Sequence, residues 1–225
     1  MNNGNYCLFS NYLFSFERTI AAKLLQSATY GWDALPYIAD FIQALGPTLP
    51  PAQYTDAGNN IYIARNARIA KSAEIQGPCI ICAGAEIRHC ALIRGSVIVG
   101  AEAVVGNSTE VKNSILFDAV QVPHYNYVGD SILGYKAHLG AGAVTSNVKS
   151  DKSHVHVKGQ GFDVDTKRKK MGAMIGDFVE IGCGAVLCPG TVIGKHSTIY
   201  PLVRVRGVIP EKCIVKNEQT VVVKR

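Results

Sequence analysis

At 225 residues the chain is long enough for one domain plus an accessory segment. Hydrophobic residues reach 48% and charged residues 18%, which excludes a disordered chain, and no run approaches the roughly 20 apolar residues of a membrane span. The formal charge of +6 is gathered locally, in residues 149–170 and the tail, rather than spread over the whole chain.

Residues 1–57 read as an N-terminal helical cap and connector. The opening MNNGNYCLFSNYLF lacks a basic start and is broken by Asn and Ser, so it makes a poor signal peptide and predicts a cytoplasmic protein. Ile20, Lys23, Leu24 and Leu25 follow Ser15–Arg18 at near-helical spacing. Trp32, Leu35, Ile38, Phe41, Ile42 and Leu45 share one face of a second predicted helix, with Pro36 in its first turn and Gly46-Pro47 as its stop. Both helices are expected to cover the strand edges and the core cross-section of the coil that follows. Pro47, Pro50 and Pro51 form a short stiff connector.

From residue 58 a strict beat of six begins. Ile63, Ile69, Ile75, Ile81, Ile87, Ile93, Val99, Val105 and Val111 are β-branched aliphatics at intervals of six, and the beat returns at Ile175, Ile181, Leu187, Ile193, Ile199 and Val205. Neither a 3.6-residue helix nor an ordinary amphipathic strand predicts that period; a coiled solenoid with short strands as its flat sides does. Two residues before each aliphatic stands a mostly small inward residue (Ala67, Ala73, Cys79, Ala85, Ala91, Val97, Ala103, Thr109), so each side offers one bulky and one small group to a narrow interior. Three sides make a coil of 18 residues. The seven cysteines are odd in number. Cys79-x-x-Cys82 has no second such pair, and Cys79 falls on an inward position, so buried free thiols in a reducing compartment are expected rather than zinc.

The beat slips near the middle. Val111 is followed by Leu116, Val122, Val128, Leu133 and Leu139, so two sides lose one residue each. From Thr145 to about Ala173 it vanishes, and a polar excursion leaves the wall; excursions of that length are usually functional or disordered. Between Lys149 and Lys170 seven basic residues face three acidic ones. Aromatic residues are not interleaved with them, so a small phosphorylated ligand suits the cluster better than nucleic acid, with a solvated loop as the plain alternative. Beyond Val205, Gly207–Pro210 reads as an exit turn, followed by a short apolar strand; residues 218–225 are a tail.

Of the six histidines, His124 stands on a distorted side, between Pro123 and Tyr125-Asn126-Tyr127. Neutral imidazole is the usual general base near pH 7; a structural histidine satisfied by its neighbours is the competing reading. His154 and His156 form an H-x-H pair without an evident third ligand, so no metal site is expected there. His89 could lie about two coils from His124, which keeps a carbonic-anhydrase-like zinc hydratase arithmetically open.

The stretch VPHYNYVGDSILGYKAHLGAGAVTSNVK resembles the catalytic stretch of hexapeptide-repeat sugar acetyltransferases. It is most similar to the acetyltransferase half of the bifunctional glucosamine-1-phosphate acetyltransferase/uridyltransferase enzymes, over roughly residues 58–217. That resemblance implies a mainly β fold, a left-handed parallel β-helix of hexapeptide repeats with a short helical cap, over residues 58–217 with an inserted loop at 145–173. It also implies a homotrimer with sites between subunits and acetyl-CoA as co-substrate, with neither nucleic acid nor membrane as partner. Residue by residue it gives His124 the role of base toward a sugar 2-amino group. Arg94 and Lys112 fall on phosphate-binding positions, Tyr127 near the sugar phosphate, Asn147 on a sugar contact and Lys170 near a basic residue that reaches a neighbouring site. On the acetyl-CoA side it gives Ala141, whose backbone N–H would meet the acetyl carbonyl, and Cys183. His138, Val148, Cys183 and Pro201 depart from the pattern of the closest relatives.

The expected function is therefore acetyl-CoA-dependent N-acetylation of an amino-sugar phosphate resembling glucosamine 1-phosphate. Residues 1–50 are too short for a nucleotide-binding α/β domain and carry no Gly-rich phosphate loop, so no uridyltransferase half is expected. The alternative is a catalytically degenerate trimeric β-helix that serves as a binding or assembly module for a separate nucleotidyltransferase.

Overall fold

The computed structural model describes residues 6–224; the first five residues of the N-terminal segment and Arg225 of the tail lie outside the described residues. Strands of two to four residues stack in parallel into three walls, which the chain visits in turn. The first wall runs from Ile61–Ala64 to Val208–Ile209, the second from Arg68–Ile69 to Cys213–Val215, and the third from Glu74–Gln76 to Arg204–Val205. In the early coils each residue lies beside the one eighteen further on: Ile63 beside Ile81, Ile69 beside Ile87, Ile75 beside Ile93. The two inward positions of each side fill the interior as the beat requires. Cys79, Ile81, Ala85, Ile87, Ala91 and Ile93 are each no more than 1% exposed.

The mid-chain slip shortens the coil without breaking the stack. Val99 pairs with Leu116, Val105 with Val122 and Val111 with Val128, a step of seventeen. Near the end it shortens again, with Ile193 beside Ile209 and Ile199 beside Val215. The residues read as an exit turn are thus corrected: Val208–Ile209 is one more strand of the first wall. Antiparallel strands finish both ends. Tyr54–Asp56 pairs with Ile61–Ala64, and Val221–Val223 with Cys213–Val215.

The helical segment does not sit on the end of the solenoid, which corrects the expectation of a lid over the first coil. It runs along the outer face of the first wall. The outward residues of that wall, Ile80, Ile98, Ile115, Ile132, Met174 and Val192, are all fully buried, as are Leu13 and Ile38 of the covering segment. Phe14 packs against Phe117 with the rings tilted by 34° and their centroids 5.2 Å apart. Gly31 lies so close to Met174 that an added Cβ would come within 2.8 Å of the sulfur. Each such fully buried aliphatic contributes roughly 1.5–3 kcal/mol, which explains why a segment with little regular structure holds its course. Polar ties reinforce it: the Asp118 N–H donates to the Arg18 carbonyl (3.0 Å), and fully buried Asp177 accepts from Ser15 Oγ (2.7 Å) and pairs with Lys195 (3.0 Å).

The second predicted helix is divided. Gly31–Tyr37 is a 3-10 helix and only Ile38–Leu45 is α-helical. Pro36 supplies the reason, since it donates no hydrogen bond and disfavours the α conformation at Leu35. The excursion is also more ordered than a loop. His156–Gly159 and Phe162–Asp165 form an antiparallel hairpin, and Val155 and Val157 are buried beneath it.

Candidate active site

His124 ends the second-wall strand Gln121–His124, at the corner that leads to the third wall. Asn126 fixes that corner. Its side chain is 3% exposed; Nδ2 donates to the Gly140 and Ala143 carbonyls (2.8 and 3.0 Å), and Oδ1 accepts the His124 backbone N–H (3.1 Å). Thr109, from the coil before, accepts the Asn126 N–H at 3.2 Å and donates to the Val122 carbonyl at 3.1 Å. The backbone around His124 is thereby held from both neighbouring coils. The imidazole is exposed and makes no hydrogen bond to any described residue. Tyr125 has a φ of 52°, but Ser108, Leu202 and other corner residues share that conformation, so it belongs to the repeat rather than to the site.

The same corner continues as a ladder. The Gly142 N–H donates to the His124 carbonyl (3.0 Å), the Gly184 N–H to Ala141 (2.8 Å) and the Leu202 N–H to Cys183 (2.9 Å). Ala141 and Cys183 therefore stand on successive coils beyond His124, both exposed, with Pro201 on the coil after them. The backbone N–H of Ala141 has no acceptor among the described residues. Gly142 and Gly184, both at positive φ, let the corner turn at these rungs.

Arg94, Lys112, Tyr127 and Asn147 gather on the third wall and at its far edge, tied together by two carboxylates. Asp130 is 4% exposed. It accepts from Asn113 (2.8 Å) and Asn147 (2.5 Å), and Lys112 Nζ lies 3.4 Å away. Glu110 receives Arg94 at 2.6 Å and keeps that guanidinium firmly charged. Asn147 Nδ2 also donates to Tyr127 Oη at 3.2 Å, which leaves the phenolic hydrogen free for a ligand. Burial pushes Tyr127 up from its usual value, and the Asp130 and Glu110 carboxylates act in the same direction, so it stays a neutral donor. Tyr127 and Asn147 fold over Gly129, where an added Cβ would stand 2.5 Å from the hydroxyl and 2.8 Å from Nδ2.

The fold thus brings the expected residues together as two groups that flank one wall: His124, Ala141 and Cys183 on one corner, and Arg94, Lys112, Tyr127 and Asn147 on the other side. Lys170 joins neither; it forms a bridge to Val148 at the base of the excursion. Sequence reasoning passed over Glu110 and Asp130 as partners, although they neutralise both expected phosphate-binding cations. Their role depends on residues one coil away, and only the stacked register reveals it. His138 pairs with Glu180 at 2.8 Å, and His89 shares a 2.6 Å hydrogen bond with Ser72. His154 and His156 contact Asp165 and Asp163 across the hairpin, at 3.3 and 2.6 Å. No disulfide joins cysteines among the described residues. Cys79 and Cys82 are buried, as expected, which pushes both thiols up to about 12, whereas Cys90 and Cys183 are exposed.

A stack of hexapeptide coils carrying this ladder defines a class of acyl-transfer proteins, and comparison with known proteins agrees. Residues 75–167 match the GMPPB C-terminal domain, and residues 172–207 match the bacterial transferase hexapeptide (six repeats). The chain is 30% identical over 155 residues to the uncharacterized acetyltransferase YaiX of Escherichia coli (strain K12), covering 69% of this chain and 67% of that one. It belongs to the hexapeptide-repeat acetyltransferase family. It is also 37% identical over 94 residues to a bifunctional sugar-1-phosphate nucleotidylyltransferase/acetyltransferase of Sulfurisphaera tokodaii, covering 42% of this chain but only 23% of that protein's length. Among solved structures, the acetyltransferase domain of PglB from Neisseria gonorrhoeae FA1090, in complex with acetyl coenzyme A, is 18% identical. It covers 69% of this chain and 54% of that one, with a TM-score of 0.30.

Proposed function

We propose that the chain is an acetyl-CoA-dependent N-acetyltransferase acting on an amino-sugar phosphate, with His124 as general base. The observation that carries this reading is the imidazole at the head of the ladder, clamped at its backbone by Asn126 and without a side-chain partner among the described residues. The sugar amine attacks the thioester carbonyl carbon while His124 accepts the amine proton. The tetrahedral oxyanion is received by the unpaired N–H of Ala141, and its collapse breaks the C–S bond and releases the CoA thiolate, which takes up a proton. Cys183 lies one coil further along, on the donor's side. On the third wall Arg94 and Lys112 hold the phosphate, while Tyr127 and Asn147 contact the sugar. To do so the two cations must turn from Glu110 and Asp130 toward the ligand. Lys170 is assigned to a neighbouring copy's site.

The test is thiol release from acetyl-CoA with glucosamine 1-phosphate, and then with other amino sugars. His124→Ala is expected to lower turnover by roughly 10²- to 10⁴-fold with the fold intact by circular dichroism. Turnover within a few-fold of the unaltered protein rules the base role out. Because the two groups of residues flank an open wall, the active form is proposed to be a homotrimer whose copies close the site. Sedimentation equilibrium should return three chain masses, and a stable monomer that retains activity contradicts that part.

The neutralised cations favour one second reading: a β-helix that serves as a binding or assembly module beside a nucleotidyltransferase. The likeness to part of a bifunctional sugar-1-phosphate nucleotidylyltransferase/acetyltransferase supports it as well. No thiol release with any amino sugar moves the assignment to this module.

A further inference from the structure

The hairpin of the excursion lies against two downstream coils and encloses a space with them. The His156 and Lys158 carbonyls come so near Gly190 and Gly207 that an added Cβ would stand 2.7 and 2.6 Å from them. Only residues without a side chain admit that approach, so the position of the hairpin is built into the coils. Thr166 fastens its base, donating from both N–H and Oγ1 to the Val155 carbonyl at 3.1 and 2.6 Å. Beneath the hairpin is a cavity of about 310 Å³ lined by Lys149, His156, Lys158, Asp163, Pro189 and Arg206. Three permanent cations and one carboxylate thus line it, and Lys149 is also paired with Asp151 at 3.4 Å just outside it. Asp163 holds His156 at 2.6 Å and Lys158 at 3.2 Å, while Arg206 has no ion pair or hydrogen bond to any described residue. An unpaired guanidinium fork beside two ammonium groups is the chemistry that receives a phosphate dianion.

The cavity is not the phosphate position assigned above. On the third wall the strands at 110–112 and 204–205 are separated by those at 127–129, 144–145 and 186–187. Four steps of about 4.8 Å place Arg206 roughly 19 Å from Lys112, too far for one phosphate to touch both. It also lies off the His124 ladder, which follows the opposite corner of that wall.

We propose that this cavity is a second anion site, which binds a phosphomonoester or diphosphate of a small molecule through Arg206, Lys158 and Lys149. Such a group can belong to the acyl donor or to a separate phosphorylated compound, and the chemistry of recognition is the same.

Pyrophosphate titrated calorimetrically into the full chain tests this, in an R94Q/K112Q background that removes the other cationic patch. Binding is expected to persist there and to weaken at least tenfold when R206Q is added, with the melting temperature unchanged. Loss of all pyrophosphate binding in R94Q/K112Q alone, or unaltered affinity after R206Q, overturns the proposal. Coenzyme A and its 3′-dephospho form, titrated into the chain with and without R206Q, then identify the source. A preference for coenzyme A that R206Q abolishes assigns the site to the donor's phosphate. Equal binding of both forms that R206Q weakens assigns it to the donor's diphosphate, and binding of both that R206Q leaves unchanged assigns it to a separate compound. Each of these results upholds the site once pyrophosphate binding depends on Arg206. Because the readout is binding, failure of the acetyltransferase reading shows up separately, as absent thiol release.

Discussion

Gly129 shows how a single missing side chain shapes the candidate sugar site. Tyr127 and Asn147 cross over it and meet Asp130 beneath, so the hydroxyl of Tyr127 is aimed by three residues from two coils. Gly129→Ala is expected to displace that hydroxyl, because the new Cβ would stand 2.5 Å from it. Initial-rate kinetics should show a raised KM for the sugar with a smaller change in kcat, since His124 is held independently through Asn126 and Thr109. At this scale the sequence was most informative around residues 121–147, where chemically distinctive side chains stand close together along the chain. Asp130 lies within that stretch but carries no signal of its own. Its importance comes from Lys112 and Asn147, eighteen residues before and seventeen after it, which meet it only once the coils are stacked.

The helical segment on the first wall carries the main lesson at the level of elements. Trp32 is 1% exposed and belongs to the core that this segment builds against the wall. Trp32→Ala is expected to destabilise the fold by about 3–5 kcal/mol, measurable as a lower midpoint in urea, and a shift under 1 kcal/mol would mean the segment contributes little. The period of six was legible because the interior accepts only one pattern of large and small residues. The cover on the first wall was legible too, but in positions that pattern ignores. Ile80, Ile98, Ile115, Ile132 and Val192 put an aliphatic at the centre of strands that are also apolar inward, and a strand apolar on both faces demands a layer on each side. The hairpin at 156–165 left a fainter trace. Val157 and Val164 pair across it, but charged residues surround them and hide the alternation.

Across the whole molecule, each coil rests on the one before, so most of the stabilising contacts join neighbouring rungs and the stack is quasi-one-dimensional. Removing a residue from a side shifts the register of every later coil by the same amount, which is why steps of seventeen and sixteen coexist with an unbroken interior. Such a column resembles a short length of cross-β fibre, with identical spacing and the same parallel pairing. Its two terminal strands run against the grain: three residues each, reversed in direction, with Lys216 and Lys224 beside the later one. A reversed, charged, abbreviated strand is a poor template for a further parallel rung. The molecule therefore keeps the rigidity of a filament, while the start of its first wall and the end of its second are covered by strands that offer no parallel edge for polymerisation.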